Sequence, residues 1–549
     1  VVIKNLQVIG FVQYRPVAKS HFVAAPWSGD NQDDSYLPSA MTEAALAKSC
    51  AKASDPLKSY PPEKLAWMMA FGLKNLQGIW FGENVRVYEE ALRVCNLAKS
   101  AGFPWYYWTS DKYDCLIQDA GLLEEKVRAL LAGADEWLPF TLTLKDELRT
   151  RDRVEAEKTR AFNASGFVHL LSSKMLFGIQ NEKLMDTLGQ HPVTIGVSVP
   201  GQQFVSTVLS LGKKKNCFDA DGDGCDQRFN LSVARVIRDL RKAFLPVNYH
   251  VAVNKLYDDV YAGSAIACGV VHRLLHNKSG WENTGMDNSL YFWLTVAEAI
   301  ETLTGLPFEE VCRLLVNGDD LALSIDSEKV GIVELQAYLA QYGVMISFDC
   351  AEPRVARDIN FLSHHLRERH VPRVGDVLVA AGNRAKLMAS INWVKVNPEF
   401  SWEECCVLHL LGLRLCLWPW KIDFDELEER LDGYLKKIEV TPSIRSMLQA
   451  RLSEKQICDL HFRVEREGCF FPTSLMCTVL GEIISGITLN NIVSVCQHEN
   501  FRCRNPRKPN AKRSLNETKR LRRAACKTTA GQRGSLLADR CPQYLLGQG

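Results

Sequence analysis

The stretch that most limits what this chain can fold into is Cys312–Asp326, CRLLVNGDDLALSID. Two apolar, β-prone runs, Leu314–Val316 and Leu321–Ile325, flank the polar tip Asn317-Gly318-Asp319-Asp320. Asn-Gly between hydrophobic runs predicts a hairpin, because both residues tolerate the positive φ of a tight turn. Two adjacent carboxylates at such a tip repel each other unless something positive sits between them. Oxygen-only ligands suit Mg²⁺. An exposed acidic turn would be written with the same four residues, so the rest of the chain has to decide between the two.

At 549 residues, with 46% hydrophobic and 24% charged side chains, the composition is that of a globular protein with an ample core. The net charge of +2 hides an asymmetry: Arg502 to Arg533 holds twelve Lys/Arg against one acid, Glu517, and reads as a disordered cationic arm. The 18 cysteines are scattered without paired spacing, which predicts reduced, intracellular thiols rather than a disulfide framework or a zinc site. The most apolar runs, Cys405–Trp420 and Thr478–Val495, are short for a membrane span and carry Arg414 and Glu482. Val1 in place of methionine predicts a fragment or a proteolytic product, and the ending Gln548-Gly549 resembles a viral protease site.

Along the chain, a β-like opening over Val1–Val23 is followed by helical patterning at Leu65–Leu76 and Val85–Val94. Ser100-Ala101-Gly102-Phe103-Pro104 is a small-residue loop before Trp105, Tyr106, Tyr107 and Trp108, whose rings could stack on unpaired bases or fill a core. Lys145-Asp146-Glu147-Leu148-Arg149 and then Arg151, Arg153, Lys158 and Arg160 would, on an extended segment, offer a row of cations to a triphosphate or an RNA backbone. Asp219-x-Asp221-x-Asp223-Gly224 imitates half of an EF-hand loop, but Asn230 stands where the bidentate Glu belongs, so a calcium loop is rejected. The other reading is Asp221-x4-Asp226 at the end of a short strand, with Phe229, Val233, Val236, Leu240 and Phe244 forming a helical stripe behind it. Ser279-Gly280 precedes a helix on which Thr284 and Asn288 share a face. Further on, Val330–Tyr342 reads as a helix and Val344–Phe348, Phe361–His365 and Val377–Ala380 as strands. A mostly helical region then covers 384–484 (Arg384–Val394, Trp402–Leu417, Phe424–Ile438, Ile444–Leu460). His364 and His365 lack a third ligand at metal spacing and read as packing residues.

Taken in order, these motifs resemble the RNA-dependent RNA polymerases of positive-strand RNA viruses over roughly residues 95–395, nearest to the potyvirus-like and picornavirus-like enzymes. The resemblance rests on Lys145–Arg149 with Lys158-Thr159-Arg160, on Asp219–Asp226, on Ser279-Gly280-x3-Thr284-x3-Asn288 and on Val316–Asp320. Ser100–Pro104 looks like the family's template-entry loop, and Phe361-Leu362-Ser363-His364 like its palm–thumb strand.

The resemblance implies an α+β right-hand fold of fingers, palm and thumb, with an antiparallel palm sheet, a mostly helical thumb, and fingertips closing onto the thumb. The implied domains are 1–214 (N-terminal region and fingers), 215–240 (palm, first Asp element), 241–275 (fingers insertion), 276–375 (palm), 376–500 (thumb) and 501–549 (basic tail). It assigns Asp221, Asp319 and Asp320 to catalysis and to two Mg²⁺ ions, with Mn²⁺ as the alternative ion. Asp226 and Asn288 would read the ribose 2′-OH, oriented by Ser279 and Thr284. Arg149, Lys158, Arg160 and Arg153 would bind the NTP triphosphate, and Ser100 and Gly102 would line template entry. The implied partners are template and nascent RNA, NTPs, other viral replication proteins and, as one option, a protein primer. The implied setting is the host cytoplasm, in membrane-associated replication complexes. One departure stands out: the family's lysine near the palm helix–strand turn is missing from Ser347–Arg354, leaving Arg354 or Arg357 as substitute charges. The rival reading is a catalytically inactive RNA-binding scaffold or assembly protein. Intact acids at 221, 319 and 320 argue against it, and a pair poised for a 2′-OH argues against a reverse transcriptase.

Overall fold

The computed structural model describes residues 2–462 except 4–5, 29–34, 51–57 and the single positions 83, 200, 214, 276, 327 and 373. The expected helices beyond 462, the Thr478–Val495 run and the basic arm lie outside the described residues.

The centre is a four-stranded antiparallel sheet in the order Cys312–Asn317, Asp320–Ile325, Cys217–Gly222, Ile346–Phe348. The expected hairpin forms, and its turn is tighter than the four-residue tip read from sequence. Asn317 pairs with Asp320, only Gly318 and Asp319 make the turn, and Gly318 alone takes a positive φ, +66°. One sheet face is built from Phe218, Ala220, Leu321 and Leu323, which join the main core. Side chains alternate along a strand, so Cys217, Asp219 and Asp221 share the other face.

Against the core face lies the helix Thr284–Thr304, buried on all sides from Met286 to Ile300 and closed by Gly305 at φ +68°. Neighbouring helices Pro62–Trp80, Leu231–Ala243 and Ile332–Ala340 pack around it. Here the stripe Val233–Val236–Leu240 enters the core as its spacing predicts. Gly222 is required where helix meets sheet. A Cβ there would sit 2.3 Å from Phe292 Cζ and 3.3 Å from the Asp319 carbonyl oxygen.

A five-stranded sheet flanks this centre in the order Val8–Phe11, Val270–Arg273, Ser264–Ala267, Phe140–Leu144, Ala161–Ala164. Only the Phe140–Leu144/Ser264–Ala267 pair is parallel. On the far side, Asn360–Phe361, His364–Val371 and Gly375–Gly382 form a three-stranded sheet. The domain boundary expected at 375–376 therefore falls at the tip of a hairpin. The helices Arg384–Ser390, Trp402–Leu417, Lys421–Leu435, Pro442–Gln449 and Glu454–Phe462 follow. Trp402–Leu417 starts with a Ser401/Glu404 capping box and buries Leu410, Leu413 and Leu417, which accounts for the apolar run there.

Two expectations are corrected. The single helix expected over Arg384–Val394 ends at Ser390, and Trp393–Lys395 is instead a strand paired with Phe22–Ala24. The cations after Lys145 do not lie on one extended ribbon. Leu148–Thr150 is a strand, but Arg151 and Arg153 sit on the short helix Arg151–Glu155, so a helical turn breaks the row. The Phe22–Ala24 pairing is a long-range tie. It carries the N-terminal segment from the five-stranded sheet to the C-terminal helices, and Asp146 reinforces it. Asp146 accepts from Ser20 Oγ (2.8 Å) and the His21 amide (3.0 Å), while its carbonyl accepts from Lys395 Nζ (3.0 Å).

Candidate active site

The hairpin tip is held from beneath. Ser289 Oγ, in the second turn of the central helix, accepts from the Gly318 amide at 2.8 Å, and Asn317 Nδ2 donates to the Thr194 carbonyl at 3.1 Å. The Gly222 amide donates to the Asp319 carbonyl at 2.8 Å, joining the tip to the next strand. In that register Asp320 faces Asp221 directly, with Asp319 exposed beside them. Three carboxylates from two strands thus meet at one open edge of the sheet.

Their electrostatics record the crowding. Asp320 is pushed up to about 7, first by burial and then by Asp319, Asp221 and Asp349. Asp221 is raised by partial burial, then by Asp319, Asp223 and Asp349, with Arg160 opposing. Like charges held this close favour any divalent cation placed among them. Acidic oxygen donors of this kind fit Mg²⁺. Among the described residues no group of three or more His, Cys, Asp or Glu side chains is already placed to hold a metal ion. Asp223 points to solvent, as expected. Asp349, one residue past the Ile346–Phe348 strand, is an acid of this cluster that was not singled out in the sequence.

Asp219 is different. It is 2% exposed, forms an ion pair with Arg354, and accepts from the Asn360 amide at 2.8 Å. This commitment separates it from Asp221 and removes the calcium-loop pattern, since the first acid of that pattern is already neutralised. It also removes Arg354 from the role of substitute charge at the carboxylates. Arg357 pairs with Glu368 (3.1 Å) on the three-stranded sheet and is likewise engaged elsewhere.

Among the described residues, Arg160 is a cation whose charge acts on these acids. Its guanidinium is bidentate on Glu147, and its charged form is favoured first by that bond and further by Asp319 and Asp221. Glu147 also accepts from Arg149 Nη1 at 3.2 Å. Arg149, lowered by burial, and half-buried Lys386 of the Arg384–Ser390 helix lie in the same field. Arg153 and Lys158 are both exposed beyond them.

Asp226 and Asn288 are brought together as expected: Asn288 Nδ2 donates to Asp226 Oδ1 at 3.3 Å. Burial pushes Asp226 up to about 6, opposed by that bond and by Lys145. The third member of the cluster is Asn277, whose Nδ2 lies 2.8 Å from Asn288 Oδ1 and 3.5 Å from Asp226 Oδ1. It stands two residues before Ser279-Gly280, the only sequence signal that could have found it. Thr284 Oγ1 instead donates to the carbonyls of Lys278 (3.2 Å) and Trp281 (3.1 Å), and half-buried Ser279 lies beside that turn. Asn288 follows a buried charge network: Arg241 and Asp287, both 0% exposed, pair at 2.6 Å, and Tyr257 donates to Asp287 at 2.7 Å. This network fixes the helix turn from which Asn288 projects.

At the other end, Gly102 (φ +73°) has no room for a Cβ, which would come 2.8 Å from the Ser165 carbonyl oxygen. The Ser100–Pro104 loop is thereby pressed onto the start of the helix Phe167–Asp186, with Ser100 exposed. Trp105 and Tyr106 are buried and Tyr107 and Trp108 half-buried, so the aromatic cluster is chiefly core. His364 Nδ1 is bonded to the Leu362 carbonyl at 2.7 Å, and His365 packs on Trp420, consistent with packing roles.

An antiparallel carboxylate-tipped hairpin backed by a buried helix, with a cationic loop facing the acids, defines the palm of a right-hand polymerase. The chain belongs to the viral RNA-dependent RNA polymerase family, whose model matches residues 14–434. It is 28% identical over 341 residues to genome polyprotein 1 of Barley yellow mosaic virus (isolate Germany), covering 59% of this chain and 14% of that protein. It is 28% identical over 229 residues to the genome polyprotein of Plum pox potyvirus (strain El amar), covering 40% of this chain and 15% of that protein. The chain thus spans only a small part of these relatives. Its fold matches the Sicinivirus 3Dpol RNA dependent RNA polymerase with a TM-score of 0.65 at 17% identity, over 87% of this chain and 99% of that one. The family works with divalent metal ions.

Proposed function

We propose that this chain is the template-directed RNA polymerase of a positive-strand RNA virus, adding nucleotides from NTPs to an RNA 3′-OH with release of pyrophosphate. The observation that carries the reading is the register pairing of Asp221 with Asp320, Asp319 beside them, at the open sheet edge facing Arg160. Asp221, Asp319 and Asp320 would hold two divalent ions, Mg²⁺ or Mn²⁺, which when bound activate the 3′-hydroxyl and neutralise the leaving pyrophosphate. Arg160 and Arg149, braced by Glu147, bind the triphosphate through fork-shaped donors, with Lys158 and Arg153 adding charge along the entry path. Asp226 and Asn288 accept from and donate to the ribose 2′-OH, with Ser279 and Thr284 shaping the turn that precedes Asn288. Ser100 and Gly102 lie on the template path, and 215–240 with 276–375 form the palm between fingers and thumb. We further propose that the chain works in the host cytoplasm on membrane-associated complexes with other viral replication proteins, a protein primer being one of their candidate contributions. Among the described residues no helix is long and apolar enough to cross a membrane.

The test is nucleotide incorporation on a primed RNA template with Mg²⁺, comparing wild type with Asp319→Asn. Template-dependent addition by the wild type, lost in the variant, is the expected result. RNA binding by both without extension by either, across primers, metals and salt, supports the scaffold reading instead.

A further inference from the structure

We infer that Asn277 is a positioning residue for ribose recognition: it fixes which end of the Asn288 side-chain amide is presented to Asp226 and to the sugar. The inference rests on the polymerase reading above. A side-chain amide rotates in a broad, nearly two-fold well, so nothing intrinsic to Asn288 decides whether its oxygen or its nitrogen faces Asp226. Asn277 Nδ2 decides it by occupying the Asn288 Oδ1 acceptor at 2.8 Å, leaving Asn288 Nδ2 directed at Asp226 Oδ1 at 3.3 Å. The longer 3.5 Å approach of the same Nδ2 to Asp226 Oδ1 places one donor group against both partners. A second carboxylate oxygen and the remaining Asn288 N–H are then available together, one to accept from a hydroxyl and one to donate to it.

Asn277 is itself held rigidly enough for this task. It is 0% exposed, and its neighbour Lys278, also 0% exposed, donates to the carbonyls of Val260 (2.6 Å) and Leu274 (3.3 Å), anchoring the backbone on its C-terminal side. Three residues on, Gly280 is pressed so closely on Asn163 that a Cβ would lie 2.0 Å from its carbonyl oxygen. The Asn277 Oδ1 is buried with no hydrogen-bond partner among the described residues. A buried amide that leaves its own acceptor unpaired is a poor choice for packing alone, since burying an unpaired polar atom is costly. Its donor, by contrast, is fully used, and used on the two ribose-reading side chains.

The experiment is pre-steady-state incorporation of CTP and of 2′-deoxy-CTP opposite a templating G, by wild type, Asn277→Ala, Asn277→Asp and Asn288→Ala. The readout is the ratio of the two incorporation efficiencies, which a loss of folded enzyme leaves unchanged because it lowers both equally. Asn277→Asp keeps the shape, removes the donor and sets a carboxylate against Asp226. The ratio is expected to fall up to about tenfold in each Asn277 variant, the order of one neutral hydrogen bond, and at least as far in Asn288→Ala. A wild type that extends no primer overturns the polymerase reading itself. Extension by the wild type with the ratio lowered in Asn288→Ala but kept in both Asn277 variants overturns the role of Asn277 alone. An unchanged ratio in Asn288→Ala overturns it as well, since there is then no ribose reader for Asn277 to position.

Discussion

Two positions of the Cys217–Gly222 strand carry the same side chain on the same face and put it to opposite uses. Asp219, toward the interior, is buried and paired with Arg354. Asp221, two residues on, is exposed and faces Asp320, another acid. The same contrast recurs in the central helix, where the buried Arg241–Asp287 pair precedes Asn288, which turns to Asp226. A charge matched within the fold contributes structure; a charge left beside its like is a stored repulsion that a proton or a bound cation relieves. The strand thus separates a carboxylate matched within the fold from one left beside other acids over a distance that sequence alone barely resolves.

This contrast can be broken from either end. Asp221→Asn should reduce incorporation by at least about 10³-fold, roughly 4 kcal/mol of transition-state stabilisation. Its melting temperature should stay level or rise, because a repulsion has been removed; a clear drop in stability would place Asp221 with the structural acids. Asp219→Asn should do the reverse. Leaving Arg354 uncompensated costs about 3 kcal/mol in urea unfolding, while incorporation per folded molecule stays near wild type. Gly222→Ala joins the two ends, since its Cβ must displace Phe292 or the Asp319 carbonyl. A loss of about 1–3 kcal/mol is expected, accompanied by lower activity even in the folded fraction.

Smaller effects sharpen the functional side. Arg160→Ala removes a cation whose charge acts on the acids, and the KM for NTP should rise about tenfold with a shallower salt dependence. Chelation of divalent ions should lower the melting temperature of the wild type by about 2 °C and leave Asp221→Asn unmoved. Equal shifts in the two proteins would put the stabilising ion elsewhere.

The corrections show where local reading stops. The hairpin, the carboxylate-tipped strand and the helix behind it were legible because hydrophobic periodicity and turn chemistry are local properties. The strand Trp393–Lys395 was not, because its pairing with Phe22–Ala24 joins segments some 370 residues apart in sequence, and the short run continues a helical pattern. The cations after Lys145 were expected on one extended segment, and the Arg151–Glu155 turn breaks it. Asn277 carries no motif of its own and acquires meaning only beside Asn288.

By itself the sequence determined the carboxylate-tipped hairpin, the Asp221 strand end and the order in which the elements follow one another. These depend on spacing and residue type within a few turns of chain. Only the tertiary structure decided that Asp219 is matched and Asp221 is not, that Arg354 is spent on a structural pair, that Arg160 faces the acids and that Asn277 holds Asn288. The physical reason is that burial and charge balance are sums over neighbours from distant segments, and no window of sequence contains those neighbours.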